Sequence, residues 1–387
     1  MLELEGLRLL PTSPGFAAAV ARAYVRQRRP RCLCRPEGIE MYIARVAGIY
    51  VVKRMPGTGD RHAPACPSYE PPPQLSGIRP LLGCAVKEDP ISGMTLLKLG
   101  FSLSRRPTNM TPIRLPSGVS TVSSSNPRLS LRALLHYLWD QAELTRWHPG
   151  FEGRRSWGAV RRQLLQAASR MVACGEALSN KLDIPEPFSV EQADAIRARR
   201  HARWAEAAKS RSGNSSMFLL IAEAKEIVPA RHGHKLVIKH VPDLGFALEP
   251  SLYHRLVTRF EPELTLWSAA DDIHLIITAT FGIGPELLPH IAELSLMAVN
   301  QHWLPVETMG DKQLLDRLVR THRSFLRLLR YDLSPDTQIP ALVLTDQGDA
   351  PQLVFARRSH RQTPGTLSLA CAALHDPAQP AGLTPYS

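Results

Sequence analysis

Hydrophobic and polar residues follow two different periods along this chain, and together they predict an α+β fold. Residues 41–46 and 49–54 are β-rich runs separated only by Ala47 and Gly48, a pattern typical of a β-hairpin. Apolar residues spaced three and four apart predict amphipathic helices over 16–29, 129–145, 157–175, 189–210, 251–260 and 311–330. Further strands are predicted within 82–103 and over 218–228, 235–241, 273–281, 292–299, 340–345 and 352–356.

Proline and serine mark the boundaries between these groups of elements. Residues 67–80 are proline-rich, and residues 105–126 are polar and rich in serine and proline, as linkers are. The fold prediction is a zinc-stabilised β-hairpin module, a basic helical middle region and a mixed α/β C-terminal domain. The corresponding segments are 1–66 (N-terminal helix and hairpin module), 67–128 (hairpin and linker), 129–212 (basic helical region), 213–356 (mixed α/β domain) and 357–387 (flexible tail).

Four residues at the two ends of the first hairpin suggest a metal site. Cys32 and Cys34 precede it, and His62 and Cys66 follow it, so the hairpin returns the second pair to the first. Three thiols and one imidazole form the ligand set of a closed, structural, tetrahedral Zn²⁺ site, with no position left for a substrate. The C-x-C spacing is tighter than in most zinc fingers, and a chance cluster of cysteines is the alternative.

The charge of the chain is basic and unevenly distributed. The formal net charge is +12, and residues 1–212 carry about +15 of it while residues 213–387 carry about −3. Such a field attracts polyanions, which makes nucleic acid, and DNA in particular, the expected partner. The arginines expected to contact phosphates are Arg28, Arg29, Arg154, Arg155, Arg161 and Arg162. The alternative for those on the middle helices is a helical hairpin with a solvated basic face.

Two further patterns each have a functional and a structural interpretation. Arg320, Arg323, Arg327 and Arg330 are spaced three, four and three apart, which on a continuous helix 311–330 forms one outer ridge. The ridge could follow phosphates, although a solvated helix face is the favoured interpretation.

Glu223 and Lys225 form an E-x-K pattern on a predicted strand, as in Mg²⁺-dependent nucleases. Such chemistry needs a second acidic residue on a neighbouring strand. Asp243 and the pair Asp271 and Asp272 are available, but they lie downstream, where those nucleases have the partner upstream. Alternating apolar and charged residues also describe an ordinary half-buried strand.

The sequence disfavours several classes of protein. No run of eighteen apolar residues is present, so no transmembrane helix is expected, and the acidic start, Glu3 and Glu5, is unlike a secretory signal. The protein is therefore expected to be cytoplasmic. No P-loop, H-E-x-x-H or G-x-S-x-G motif occurs.

The chain resembles an uncharacterised bacterial family that is carried on plasmids and integrative conjugative elements. The matching pieces extend to about residue 356 and are Cys32-Leu33-Cys34-Arg35-Pro36 with His62 and Cys66, Leu135-His136-Tyr137-Leu138-Trp139-Asp140, Glu223-Ala224-Lys225-Glu226, Leu296-Met297 with Trp303-Leu304-Pro305, and Leu329-Arg330-Tyr331-Asp332. The resemblance implies an accessory protein of a mobile element in a DNA-rich context, without a known activity.

These observations together predict a nucleic-acid-associated, zinc-containing, non-enzymatic accessory protein that binds the phosphate backbone through arginines. The first alternative is a Mg²⁺-dependent nuclease centred on Glu223 and Lys225. The second is a scaffold that binds an acidic protein partner of a conjugative apparatus.

Overall fold

The computed structural model describes residues 1–46, 48–90, 92–105, 127–208, 215–284, 287–356 and 371–372. Most of the predicted linker and of the predicted tail lies outside these ranges. The helices of the described residues are α1 (Phe16–Val25), α2 (Leu131–Gln141), α3 (Trp157–Ala168), α4 (Leu178–Lys181), α5 (Ala193–Ala208), α6 (Pro250–Arg259), α7 (Glu261–Ala269) and α8 (Met309–Arg320). The strands are β1 (Leu2–Leu4), β2 (Leu7–Leu9), β3 (Arg31–Cys32), β4 (Ile39–Val46), β5 (Ile49–Arg54), β6 (Val86–Glu88), β7 (Thr95–Leu97), β8 (Ser104–Arg105), β9 (Arg146–Trp147), β10 (Met171–Ala173), β11 (Glu176–Ala177), β12 (Leu182–Asp183), β13 (Ser215–Ser216), β14 (Phe218–Ala230), β15 (Gly233–Ile238), β16 (Val241–Leu248), β17 (Ile273–Ile283), β18 (Pro289–Asn300), β19 (Phe325–Arg327), β20 (Leu342–Leu344), β21 (Gln352–Val354) and β22 (Cys371–Ala372). The fold is therefore mixed α+β, as the sequence predicts.

The N-terminal hairpin forms as its sequence predicts. Strands β4 and β5 pair antiparallel, with Met41 opposite Arg54 and Val46 opposite Ile49. They belong to a five-stranded sheet with the order β2-β1-β3-β4-β5. Helix α1 packs on this sheet through small apolar side chains, among them Val20.

The centre of the C-terminal region is a closed barrel of five strands. Strand β14 pairs with β15 and also with β17, β15 pairs with β16, and β17 pairs with β18, all antiparallel. A parallel contact between β16 and β18 closes the ring. Helices α6 and α7 lie between the third and fourth strands in sequence. Numbered one to five from β14 to β18, the strands pair in the order 1-2-3-5-4-1 around the barrel. This order, with a helical segment between the third and fourth strands, is the connectivity of an OB-type barrel.

Alternation along β14 separates the inside of the barrel from its outside. Phe218, Leu220 and Ala222 belong to the core within the barrel, together with Phe246 of β16. Their sequence neighbours Leu219 and Ile221 belong instead to a core shared with α2 and α3. The middle helices thus cover one outer side of the barrel, since alternate residues of a strand point to opposite faces.

The metal-ligand hairpin packs on a C-terminal sheet. Strands β22-β21-β20-β19-β9 form a second five-stranded sheet. Side chains of its central strands, including Leu326 and Val343, share one hydrophobic cluster with Cys32 and Cys66. The first and last parts of the described chain are therefore packed together.

Two predicted helices are shorter than their apolar periodicity suggests. The helix predicted over 157–175 ends at Ala168, and residues 171–173 form β10, which pairs parallel with β7. The helix predicted over 311–330 ends at Arg320. Its C-terminal third turns back at His322, whose φ is +52°, and continues as β19.

The prediction that four arginines form one outer ridge on that helix is therefore wrong. Arg323 forms an ion pair with Asp346, with the two charged groups 2.7 Å apart. Arg327 and Arg330 are only 4% and 6% exposed, because β19 and the residues after it turn them into the protein. Arg327 pairs with the buried Asp311 at 2.8 Å, so these guanidinium groups support the fold.

Candidate functional site

The four predicted metal ligands meet at one point. Cys32 ends β3, Cys34 follows it, and His62 and Cys66 flank a turn after β5. Their ligand atoms all lie within 4.8 Å of one another. The closest pair is Cys34 Sγ and His62 Nδ1 at 3.3 Å. Cys66 Sγ lies 3.7 Å from both Cys32 Sγ and His62 Nδ1.

These distances fit the edges of a tetrahedron around one ion. With bonds of about 2.3 Å to sulfur and about 2.0–2.1 Å to nitrogen, a tetrahedral site has edges of about 3.8 Å between sulfurs and about 3.6 Å between sulfur and nitrogen. The observed separations of 3.7 Å and 3.3–3.7 Å agree with both values. The four residues could therefore hold a metal ion with little movement.

Burial and the hydrogen bond between Cys32 and Cys66 together set the protonation of the cluster. The hydrogen bond to Cys66 and burial raise the pKa of Cys32, while the hydrogen bond from Cys32 lowers the pKa of Cys66. Burial also raises the pKa of Cys34 and lowers the pKa of His62. A neutral imidazole is the form that binds a metal, and a cation would supply the charge that buried thiolates need. Within the described residues, no hydrogen-bond partner faces the buried Nε2 of His62.

Most of the arginines predicted to contact phosphates are exposed. Arg28, Arg154 and Arg162 lie at the surface, and none makes a side-chain hydrogen bond or ion pair to the described part of the chain. Arg29 pairs with Glu40 at 3.0 Å, with more than half of each side chain exposed. An exposed ion pair of this kind is weak, so a phosphate could replace Glu40 as the partner of Arg29.

Arg155 and Arg161 instead bind the protein itself. The guanidinium of Arg155 donates to the carbonyl oxygens of Leu144 at 3.0 Å and His302 at 3.3 Å. Burial lowers the pKa of Arg155 to about 10. Arg161 Nε donates to the Ile184 carbonyl at 2.9 Å. These contacts give both side chains an internal role.

The barrel leaves a second basic surface uncovered, which the sequence analysis missed. The helices pack outside β14, β17 and β18, whereas Lys235 on β15 and Ala247 on β16 are exposed. Lys225 and Arg231, on β14 and just after it, are exposed too. No ion pair or side-chain hydrogen bond to a described residue is found at Lys225, Arg231 or Lys235. Leu236, Val237 and Ile238 are all apolar, so the sequence of β15 carries little indication that one of its faces is exposed.

Glu223 forms a separate polar cluster on the covered side of β14. Its carboxylate lies 2.7 Å from Lys239 Nζ and 2.7 Å from His274 Nδ1, with His240 Nε2 at 3.7 Å. The His274 ring stacks on Trp303 with centroids 4.6 Å apart. Burial raises the pKa of Glu223, but the nearby His240 ring and the hydrogen bonds from His274 and Lys239 outweigh burial and hold that pKa well below its ordinary value.

The geometry separates the two side chains of the E-x-K pattern. A bulge between Ala224 and Glu226 turns Lys225 to the surface, while Glu223 is only 3% exposed. Two of the three candidate acidic partners are also engaged, since Asp272 pairs with Lys312 at 2.7 Å and Asp243 pairs with Arg200. Within the described ranges, the cysteine and histidine cluster is the one group found that could hold a metal ion.

Comparisons with known proteins give one match. A family model described as "Protein of unknown function (DUF1173)" matches residues 2–379, nearly the whole chain. This match confirms the predicted membership in an uncharacterised family. No curated protein and no solved structure matches the chain. None of the helices that the structure describes has both the length and the apolar character needed to cross a membrane.

Proposed function

The chain belongs to the family described as "Protein of unknown function (DUF1173)", and from its own geometry we propose that it is a zinc-containing, nucleic-acid-associated accessory protein. The observation that carries the proposal is the OB-type barrel with one uncovered outer face. In OB-folds, the face formed by the second and third strands, with the adjoining loops, binds oligonucleotides. The equivalent strands here are β15 and β16.

The side chains on this face suit a phosphate backbone. Lys225, Arg231 and Lys235 are exposed cations without ion-pair partners among the described residues. Val237 and Gly245 lie on the same outer face, and the aliphatic part of the Lys235 side chain lies against Gly245. Contacts of this kind give affinity with little sequence choice, because phosphates carry no sequence information. We therefore propose single-stranded nucleic acid, DNA first, as the partner.

The metal centre has a structural role in this proposal. Zn²⁺ is the ion that best fits three thiolates and one imidazole at tetrahedral spacing. All four positions are filled by the protein, so the ion stabilises the hairpin instead of binding a substrate. Arg28 and Arg29, directly before Cys32, are thereby held in a defined position and extend the basic surface.

The proposed setting is a bacterial mobile element, with the protein acting in the cytoplasm. The sequence resemblance to proteins carried on plasmids and integrative conjugative elements supports this setting. DNA transfer exposes single strands, which an OB-type face could bind.

A salt titration of binding tests the proposal. Labelled single- and double-stranded oligonucleotides are titrated with the wild type, with the triple variant Lys225→Glu, Arg231→Glu, Lys235→Glu, and with Arg317→Glu as a matched control on the exposed side of α8. Each lost phosphate contact lowers the slope of log K against log salt by about 0.7 for single strands. The triple variant should bind more weakly with a slope reduced by about 2, and the control should match the wild type.

The same titration also separates the two basic surfaces. The double variant Arg154→Glu, Arg162→Glu reports on the helical region alone. A wild type that binds neither oligonucleotide at low salt contradicts the proposal. Binding that the triple variant leaves unchanged contradicts the barrel face and directs attention to the helices.

A further inference from the structure

A cleft on the other side of the barrel has the features of a small-molecule site. Two adjoining cavities of about 590 Å³ and about 580 Å³ both have Arg132 of α2 and Arg259 of α6 in their walls. We call the first the α8 lobe, because the start of α8 lines it, and the second the apolar lobe. Each volume is within the range of about 300–1,000 Å³ typical of ligand pockets.

Neither shared arginine has a carboxylate partner among the described residues, and the guanidinium of Arg259 lies 5.5 Å from the centroid of the Phe260 ring. No described residue forms an ion pair or a side-chain hydrogen bond with Arg132 or Arg259. The Nε of Arg132 is buried and unsatisfied. A buried donor without a partner costs free energy, and a bound anion would remove that cost. Two guanidinium groups that line one cavity can hold a phosphate together.

His136 adds a buried donor to the α8 lobe. The residue is 4% exposed, and its Nδ1 accepts a hydrogen bond from the Tyr331 backbone N–H at 3.0 Å. The proton of the neutral ring is therefore on Nε2, for which the described residues offer no acceptor. Burial, with Arg132 and Arg327 nearby, keeps the pKa of His136 well below its ordinary value. The ring is thus a neutral donor in the wall of the cavity.

The beginning of α8 favours negative charge in the same lobe. Thr308 to Gly310 line it, and Thr308 Oγ1 accepts the hydrogen bond of the Asp311 N–H at 3.1 Å. A helix N-terminus carries a partial positive charge. Three acidic residues line this lobe, of which Glu307 is paired with Arg330 at 2.6 Å and Asp336 accepts a hydrogen bond from Ser334 at 3.5 Å. Burial raises the pKa of Glu263, which weakens its opposition to an anion.

The apolar lobe suits a flat or hydrophobic group. It is lined by Leu252, Leu256, Phe260 and Leu294, with Phe101 at its rim. The hydroxyl of Ser295, a residue 3% exposed, is buried there and makes no hydrogen bond within the described chain.

We propose that the cleft binds a mononucleotide, with its phosphate between Arg132 and Arg259 and its base in the apolar lobe. The phosphate accepts from the two guanidinium groups, from His136 and from the start of α8. The inference uses none of the residues of the metal cluster or of the β15–β16 face. Its failure and the failure of the proposed function are therefore independent.

Calorimetric titration with AMP and ATP tests the inference, with adenosine and inorganic phosphate as partial ligands. AMP or ATP should bind the full-length protein more tightly than either partial ligand and raise its melting temperature. Arg132→Met and Arg259→Met should each weaken binding by about 10- to 100-fold, the usual effect of losing a charged hydrogen bond. Arg317→Met, on the exposed side of α8, should bind as the wild type does.

Three results would overturn the inference. The first is no binding of AMP or ATP by the wild type at millimolar concentration. The second is phosphate binding that equals nucleotide binding, which would leave the apolar lobe without a role. The third is unchanged affinity in both arginine variants that circular dichroism shows to be folded. The wild-type titrations decide the first two even if a variant does not fold.

Discussion

Replacing Cys34 by serine should release the proposed zinc ion while leaving most of the packing intact. Cys34 is the least buried of the four ligands, so the substitution disturbs the hydrophobic cluster least. Cys174 offers a matched control, because it is an exposed free cysteine and is not one of the four clustered ligands. Cys34→Ser and Cys174→Ser therefore change the same atom in two different settings.

The size of the effect follows from the geometry. The four ligand atoms lie within 4.8 Å of one another, so each is close enough to contribute a bond to one ion. Structural zinc sites bind with about 10–16 kcal/mol, or roughly 2.5–4 kcal/mol for each of four ligands. Losing one ligand should weaken zinc binding by about two to three orders of magnitude. Because the metal free energy is also folding free energy, Cys34→Ser should unfold at a lower temperature.

Metal analysis and X-ray absorption measure this outcome directly. The wild type and Cys174→Ser should contain about one zinc ion per chain, with bonds of about 2.3 Å to sulfur and about 2.0 Å to nitrogen. Cys34→Ser should lose the ion to a competing chelator at a concentration that leaves the control loaded. Equal zinc retention in the two variants, or a coordination shell of oxygen atoms, would refute the reasoning.

Three further substitutions test the interior. Hydrogen bonds hold the pKa of Glu223 below that of a free glutamate, so its stabilising charge is present at neutral pH and is lost in acid. Glu223→Gln should lower the free energy of unfolding, measured with urea at neutral pH, by about 1.5–3 kcal/mol, and should lower it by less in acid. An equal loss of stability at both pH values contradicts this. Arg327→Met leaves the buried Asp311 without its ion-pair partner and should lower the free energy of unfolding by about 3–5 kcal/mol. A decrease below about 1 kcal/mol would show that the pair is dispensable. Gly77→Ala would bring a Cβ to 1.7 Å from the Arg330 carbonyl oxygen, so the melting temperature should fall by several degrees, and an unchanged value would mean that this contact relaxes freely.

The sequence was sufficient to predict those parts of the structure whose contacts join residues that are close together in the chain. The β4–β5 hairpin is confirmed because its β-rich runs are joined by a tight turn and pair with each other. The metal cluster is predictable for the same reason, since the hairpin returns His62 and Cys66 to Cys32 and Cys34.

Long-range pairing explains what the sequence did not reveal. Residues 325–327 continue the apolar period of α8, but they pair with β20 and with β9, and β9 comes from a distant part of the chain. The barrel closes through pairs such as Phe218 with Phe281, which no local pattern encodes. The cleft proposed to bind a nucleotide combines residues from α2, α6, β18 and the start of α8, so only the folded chain brings Arg132 and Arg259 to one cavity.

The packing of the ligand hairpin on β19 and β20 has a consequence for biosynthesis. The segment from Cys32 to Cys66 leaves the ribosome about 260 residues before Leu326, a delay of roughly 15–50 seconds at about 5–20 residues per second. During that interval three thiols and an apolar surface are open to oxidants and to other nascent chains. Early capture of the ion would protect the thiols until the rest of the polypeptide has been synthesised.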